Sequence, residues 1–467
     1  MNRRYRFFLL LLCLCILPAL AGCGFPGIQE IVEHLGGGVE WGTGGPVETY
    51  VPWVSFPLKP TIGETVIYDR DGVRITAKKL EYGSSRADLT LEFENLGEKE
   101  IELYSNIVGY AYNSINGHMF SFGYVNPKLA PGEAKTETVS VYGNELSLYN
   151  ISDIADFELC FRIRDSENHI TYTGPCALKT SLADSYDYSK VSFRAGITNR
   201  GLQKEYGFTD VRPGDRVIYD VLGVKIASET VFRNQNGDTI LSMEAENTGT
   251  EQKYLVMKNV AFNGLLVYSG NWTNGYVNPG KTGTVSMRLE QVLGTAQRKL
   301  AGIEAVSEVS FELIQEDISG KALADPAQIT LSLGGSGTYR KGTELFRGSY
   351  AAVYQCGVCP DESKYSQDYH VVLVYENLTD QELTIRFPYK GFLVNGSDEA
   401  SMSSYSLKLP PKSCVLEDMK VYSYSFDDVG IEDWSEVKEM SLRIEVENRS
   451  YKTLEDATLT LDPSVTE

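Results

Sequence analysis

The residues best suited to chemistry are the cysteines, and their spacing decides what they could do. Cys356-Gly357-Val358-Cys359 has the two-residue gap of a dithiol redox pair. Such a pair works when its first thiol sits at a helix N-terminus, where the dipole lowers its pKa. Here the motif ends a strand-like run and enters Pro360-Asp361-Glu362-Ser363, with no amphipathic helix behind it. Acidic neighbours raise a thiol pKa. The pair therefore reads as a structural disulfide, within the motif or from one member to Cys414, with the odd thiol left over. Cys160 and Cys176 flank a hairpin pattern whose turn is Asp165-Ser166-Glu167-Asn168. A bond across its neighbouring strands is expected if the geometry allows.

Other constellations fall short of a site. His34, His118, His169 and His370 are scattered, and none stands two to four residues from another His or Cys, as zinc ligands require. His370 begins a strand and reads as structural or surface. Asp69-Arg70-Asp71-Gly72 opens like a calcium loop. The matching Asp220-Val221-Leu222-Gly223 lacks the middle carboxylate, so a hairpin turn accounts for both. Asp427-Asp428 with Glu432-Asp433 reads as solvated surface. There is no Gly-x-Ser-x-Gly, His-Glu-x-x-His or phosphate-cradling glycine loop. No catalytic residue, metal or cofactor is expected.

Aromatic stretches are the better binding candidates. Tyr110, Tyr112, Phe120, Phe122 and Tyr124 crowd one segment, and Tyr268, Trp272 and Tyr276 crowd another beside Asn271 and Asn274. Aromatic faces next to amides suit sugar rings or a protein hot spot. Tyr124 and Tyr276 recur in register, which favours core or turn packing. Trp272 has no counterpart of its kind. The expected surface is Trp272, Tyr268, Tyr110 and Tyr112, carried on loops.

The elements that must position these residues repeat. Gly63-Glu64-Thr65-Val66-Ile67-Tyr68-Asp69 returns as Gly214-Asp215-Arg216-Val217-Ile218-Tyr219-Asp220. An alternating strand ends in Glu-Asn three times, at Asn95, Asn247 and Asn377. Gly123-Tyr124-Val125-Asn126-Pro127 returns as Gly275-Tyr276-Val277-Asn278-Pro279. Asn116-Gly117, Asn263-Gly264 and Asn395-Gly396 are tight-turn pairs, because both residue types tolerate positive φ. The period within each copy is two, as in half-buried antiparallel strands. Roughly seven short strands in about 120 residues is the pattern of an immunoglobulin-like sandwich. The expected fold is all-β, with three tandem antiparallel sandwiches at residues 62–182, 213–333 and 340–463. A connector covers 183–212 and a glycine-rich hinge 334–339. Residues 23–61 read as a tether.

Arg3, Arg4 and Arg6 precede the apolar run Phe7–Leu17, and small residues lead to Cys23. That is signal-peptide anatomy for residues 1–22. Leu20-Ala21-Gly22-Cys23 resembles the lipobox of bacterial lipoproteins, in which the peptidase cuts before a cysteine that carries diacylglyceryl. The resemblance implies lipid attachment at Cys23 and display on the extracytoplasmic face of the cell membrane. With it, the Phe-Glu-Asn strand and the Leu129-Ala130-Pro131-Gly132-Glu133 turn look like immunoglobulin-like modules of Gram-positive surface lipoproteins. That likeness implies a fold and a location and carries over no functional residue.

The formal net charge of -20 argues against nucleic acid as a partner, since its binders present a positive footprint. The expected function is a membrane-anchored, non-enzymatic binding or scaffold module for a protein or glycan. An accessory redox or weak enzymatic role in the third repeat is the alternative. A transporter substrate-binding lipoprotein ranks third, because such proteins alternate strands with amphipathic helices and few helical runs occur here.

Overall fold

A computed structural model describes residues 55–105, 113–317, 319–363, 366–403 and 406–466, with residues 268–274 given by their backbone alone. Its contacts divide the chain into two compact units. One comprises residues up to Leu255 with Thr273–Ser286 and Gln315–Ala324. The other comprises Val256–Trp272, Met287–Ile314 and Asp325–Glu467.

In the first unit, strands Thr65–Arg70, Val73–Tyr82, Arg86–Asn95 and Ala134–Tyr142 form one antiparallel sheet in that order. Alternation sends Ile75, Ala77, Leu89, Leu91, Phe93 and Val139 to the same buried face. The turn Asp71-Gly72 has φ values of 54 and 73, the left-handed pair of a two-residue hairpin. The buried face packs on Leu103, Phe161, Ile163 and Leu129 of a second sheet, built from Ile170–Tyr172, Phe161–Asp165, Ile101–Ser105 and Lys128–Leu129. Phe93 and Phe161 meet edge to face, with centroids 5.5 Å apart. Each such fully buried side chain stabilises the sandwich by about 1.5–3 kcal/mol.

A third sheet joins two repeats. Cys176–Lys179, Asp156–Leu159, Asn113–Ile115 and His118–Phe120 come from the first repeat. Thr282–Arg288, Thr239–Asn247, Val224–Arg233 and Thr209–Pro213 continue the same sheet from the second. The seam is a parallel pairing of Thr282 with His118, and the Thr282 N–H donates to the Gly117 carbonyl at 3.0 Å.

Residues 183–212, which read as a connector, form short helices as far as Tyr206 and then the strand Thr209–Pro213. Ser192 caps Phe193–Ile197 and Asn199 caps Arg200–Tyr206, which Gly207 ends at φ 65. Phe193, Ile197, Leu202 and Tyr206 are buried in the core of the unit. Gly196 is required there, because a Cβ would stand 2.1 Å from the Leu148 carbonyl oxygen.

In the second unit, one sheet runs Ala327–Ser332, Glu308–Glu316, Lys253–Phe262, Leu265–Val277, Cys414–Val421, Tyr369–Asn377, Ala351–Pro360 and Thr343–Arg347. Its seam is again parallel, with Leu266 opposite Val415. The facing sheet holds Phe392–Val394, Met440–Asn448, Leu383–Arg386 and Ser406–Leu409, with Thr453–Leu461 also on Met440–Asn448. Val371, Leu373 and Tyr375 pack against Ile385, Leu442 and Ile444 between the layers. The fold is all-β, as the alternation predicts.

Two asparagine braces, each made three times, hold these strands. Buried Asn95 donates to the carbonyls of Lys99 and Leu129 and accepts the Gly97 N–H. Asn247 does the same with Glu251, Val277 and Gly249, and Asn377 with Gln381, Leu409 and Thr379. The second brace sits at the Asn-Gly turns. Asn116 donates to the Asp153 carbonyl at 2.8 Å and accepts the N–H groups of Ala155 and Asp156. Asn263 treats Ala305, Ser307 and Glu308 alike, and Asn395 treats Glu436, Lys438 and Glu439 alike. All three sit at positive φ, between 49 and 52.

Candidate functional site

Cys23, Tyr110 and Tyr112 lie outside the described residues. Tyr268 and Trp272 lie within the thirteen-residue strand Leu265–Val277, not on a loop. The expectation of a loop fails, because the strand runs unbroken through both residues to Val277. Tyr276 is buried and stacks on Tyr254 with centroids 4.5 Å apart, as core packing requires. Tyr124 corrects its reading, since it is 66% exposed. Its neighbours Phe120 and Phe122 take the core positions instead.

The hairpin predicted between Cys160 and Cys176 is present. Phe161–Asp165 pairs with Ile170–Tyr172 in one sheet, and Asp156–Leu159 pairs with Cys176–Lys179 in another. Cys160 and Cys176 stand where the hairpin passes between the sheets, with Cys176 opposite Leu159. The expected disulfide between the two cysteines is not formed in this structure, where the Cys176 thiol donates to the Gly174 carbonyl at 3.7 Å. Burial, then the neighbouring Cys176, pushes the Cys160 thiol up to about 12.

For the other three cysteines the register overturns the expected bonds. Cys359 faces His370 and His370 faces Lys420, whereas Cys414 faces Glu376. Six residues of strand, about 20 Å, separate the Lys420 and Cys414 positions. A disulfide spans less than about 7 Å between Cα atoms. Cys356 lies nearer but two strands away and about 10 Å along them, still out of reach. Within the motif, the two cysteines are three residues apart in one extended strand, about 10 Å. The Cys356 thiol donates to the Lys341 carbonyl at 3.5 Å and borders a groove of about 380 Å³ lined by Gln355, Gly357, Leu461, Asp462 and Thr466. Burial pushes both motif thiols up to about 12, and at Cys359 the carboxylates of Asp418, Glu362 and Asp361 add to it.

The same register assembles a polar cluster that sequence reading missed. Cys359, His370 and Lys420 are direct cross-strand neighbours on one face. Asp361, Asp368 and Asp418 stand two residues from them, so they share that face. His370 Nδ1 lies 2.7 Å from Asp418 and Nε2 3.6 Å from Asp361. Lys420 Nζ lies 2.6 Å from Asp361 and 2.9 Å from Asp368. Burial opposes the charge on Asp361, but Lys420 and the Ser363 N–H outweigh it and hold its carboxyl at about 2. Asp368 is held at about 2 against burial by the Ser423 N–H and Lys420. Burial also disfavours imidazolium at His370, yet Asp418 and then Asp361 raise its pKa. Glu362 accepts the N–H groups of Thr295 and Ala296, and Gln297 donates to Asp418 at 3.4 Å. Each named acid is engaged by a donor, so the cluster pins strand ends together. The signal was there as Cys-x-Asp, Asp-x-His and Asp-x-Lys spacings, but only register aligns them.

A second buried group lies in the first unit. His118 is fully buried and donates from Nδ1 to the Met119 carbonyl at 3.0 Å. Nε2 is then left as the acceptor facing the Thr284 hydroxyl at 3.3 Å. Burial lowers its pKa against the pull of Glu244. Asp165, Glu167 and His169 gather on the hairpin turn, where Lys99 Nζ approaches Glu167 to 2.7 Å and Asp165 to 3.5 Å. That lysine already supplies the positive charge. No helix among the described residues is long and apolar enough to cross a membrane.

No protein-family model matches the sequence, and no curated protein matches it. Among solved structures, red sea bream transglutaminase aligns at 9% identity over 57% of this chain and 32% of its own length, with a TM-score of 0.14. This chain thus spans about a third of that protein. The BSP domain of a biofilm-associated protein aligns at 10% identity over 89% and 84% of the two chains, TM-score 0.14. A protein from Corynebacterium diphtheriae, described as membrane anchored, aligns at 8% identity over 83% and 89%, TM-score 0.14. Likeness at that level carries no argument about function.

Proposed function

We propose that the chain is an extracytoplasmic lipoprotein, anchored through Cys23, whose sandwich repeats form a non-enzymatic binding or scaffold module for a protein or glycan. The observation that carries this reading is the threefold recurrence of one pair of asparagine braces in an all-β chain. Asn95, Asn247 and Asn377, with Asn116, Asn263 and Asn395, are spent on holding strands. The polar cluster around His370 is spent on internal pairs in the same way. Such modules supply rigid area for recognition, and Tyr268 and Trp272 fall on one of their strands.

The redox alternative calls for an accessible thiol of lowered pKa. Cys356 and Cys359 have the opposite, with both thiols raised to about 12. The test immobilises the full chain and offers it purified wall glycan and purified surface proteins of the source cell. Retention of one of these that falls at least about tenfold with Trp272→Ala supports the reading. Retention of none, or dithiol turnover of a test substrate, contradicts it.

A further inference from the structure

The two seams are the same contact made twice. Aligning the repeats on their asparagine braces sets Asn95 beside Asn247 and Asn377, and Asn116 beside Asn263 and Asn395. The backbone N–H of each brace asparagine donates to the equivalent carbonyl, of Glu133, Lys281 and Ser413. Those carbonyls align the strands that follow. In the first seam, Thr282 pairs with His118. In the second, Val415 pairs with Leu266, one step further along both strands of the same register. So the segment after an Asn-Gly turn in one repeat receives, in parallel, the strand after the proline turn of the next.

A contact of this head-to-tail kind leaves one half unused at each end of a series. In the first repeat the unused half is the start of Ala134–Tyr142, an edge strand among the described residues. Ala134, Lys135 and Thr136 are exposed there, whereas Gly283 and Val415, which align with Lys135, are buried. In the third repeat the unused half is the segment after Asn395-Gly396. It opens Ser397-Asp398-Glu399 where the earlier repeats have His118-Met119-Phe120 and Leu265-Leu266-Val267. The positions matching Val415 and Leu266 are Lys135 and Asp398. Their side chains are 42% and 36% exposed. An apolar pair at the internal seam thus becomes a pair of opposite charges at the free ends. With a net charge of -20, two copies repel overall, so a contact between them has to carry its attraction locally.

We propose that copies of this chain associate head to tail through this unused seam, with Lys135 of one copy facing Asp398 of the next. In this contact Ala134, the counterpart of Thr282, gives its N–H to the Gly396 carbonyl, the counterpart of Gly117. Lys135 leaves the Lys128 carbonyl, now 2.5 Å away, and Glu133, now 3.2 Å away, and Asp398 leaves Lys390, now 2.9 Å away. The pairing is heterologous, so it extends as a series rather than closing as a twofold dimer.

The test is sedimentation of the full chain in detergent at about 100 μM, in about 0.15 M salt, where the Debye length of about 8 Å screens whole-molecule repulsion. The expected result is association beyond dimers in the wild type. Lys135→Glu alone and Asp398→Lys alone each lower the association constant at least about tenfold, by setting like charges face to face. Mixing the two single variants restores association, because each then meets an opposite charge. A monomeric wild type overturns the proposal. So does association that neither variant weakens, or variants that stay apart when mixed. This result is independent of glycan or protein binding, so either reading can fail alone.

Discussion

His370 shows how neighbouring carboxylates raise the pKa of a histidine against burial. Its ring is held between Asp418 at 2.7 Å and Asp361 at 3.6 Å, and their pull exceeds the cost of burial. A pKa raised in the folded state means the charged form binds its surroundings better than it binds water. The stabilisation is fully present below the ordinary histidine value of 6.5 and is lost as pH rises through the raised folded value. The stability gap between wild type and His370→Gln is therefore expected to be widest on the acid side and to narrow with rising pH, as read by thermal melts across pH 5 to 9. Asp361 and Asp368 act with the opposite sign. Their pKa values fall from 3.8 to about 2, so their contribution is present above the higher value and disappears as pH drops through the lower. A gap that widens with rising pH would show that His370 is not held as imidazolium. None of this could be read from His370 alone, which looks like any strand histidine until Cys359 and Lys420 are placed beside it.

At the scale of elements, the braces explain why short strands with modest apolar content hold their register. Fully buried Asn247 donates two hydrogen bonds, to the buried Val277 carbonyl and the half-buried Glu251 carbonyl, and accepts a third from Gly249. Asn247→Ala leaves the Glu251 and Val277 carbonyls and the Gly249 N–H without that partner. Each buried group left unpaired costs about 1–3 kcal/mol. A loss of about 3 kcal/mol or more is expected in chemical denaturation, against less than about 0.5 kcal/mol for an exposed control such as Asn236→Ala. Equal effects at the two sites would show that the brace is idle.

The Glu-Asn strand ends and Asn-Gly turns were legible because they recur with fixed neighbours. Their cross-strand partners were not, since Leu129 and Val277 lie 34 and 30 residues away from the asparagines they hold. The short helices of residues 193–206 were also hidden. At five and seven residues they are too brief for a 3.6-residue period to emerge. Capping side chains at Ser192 and Asn199 were the available signal.

At the scale of the whole molecule, repetition was readable and the seams were not. A parallel pairing that begins at Thr282 and His118 brings together residues far apart in sequence, and no local pattern announces it. The cysteine bonds failed for the same reason. Spacing along the chain suggested partners, while register set Cys356, Cys359 and Cys414 beyond bonding distance. The sandwich repeats make sense as a surface module if the chain is held at the membrane by Cys23. The most direct measurement of that claim is metabolic labelling with a clickable fatty acid, followed by isolation of the full chain. The account predicts label on the wild type and none on Cys23→Ala. Equal label on both chains, or none on the wild type, would contradict it.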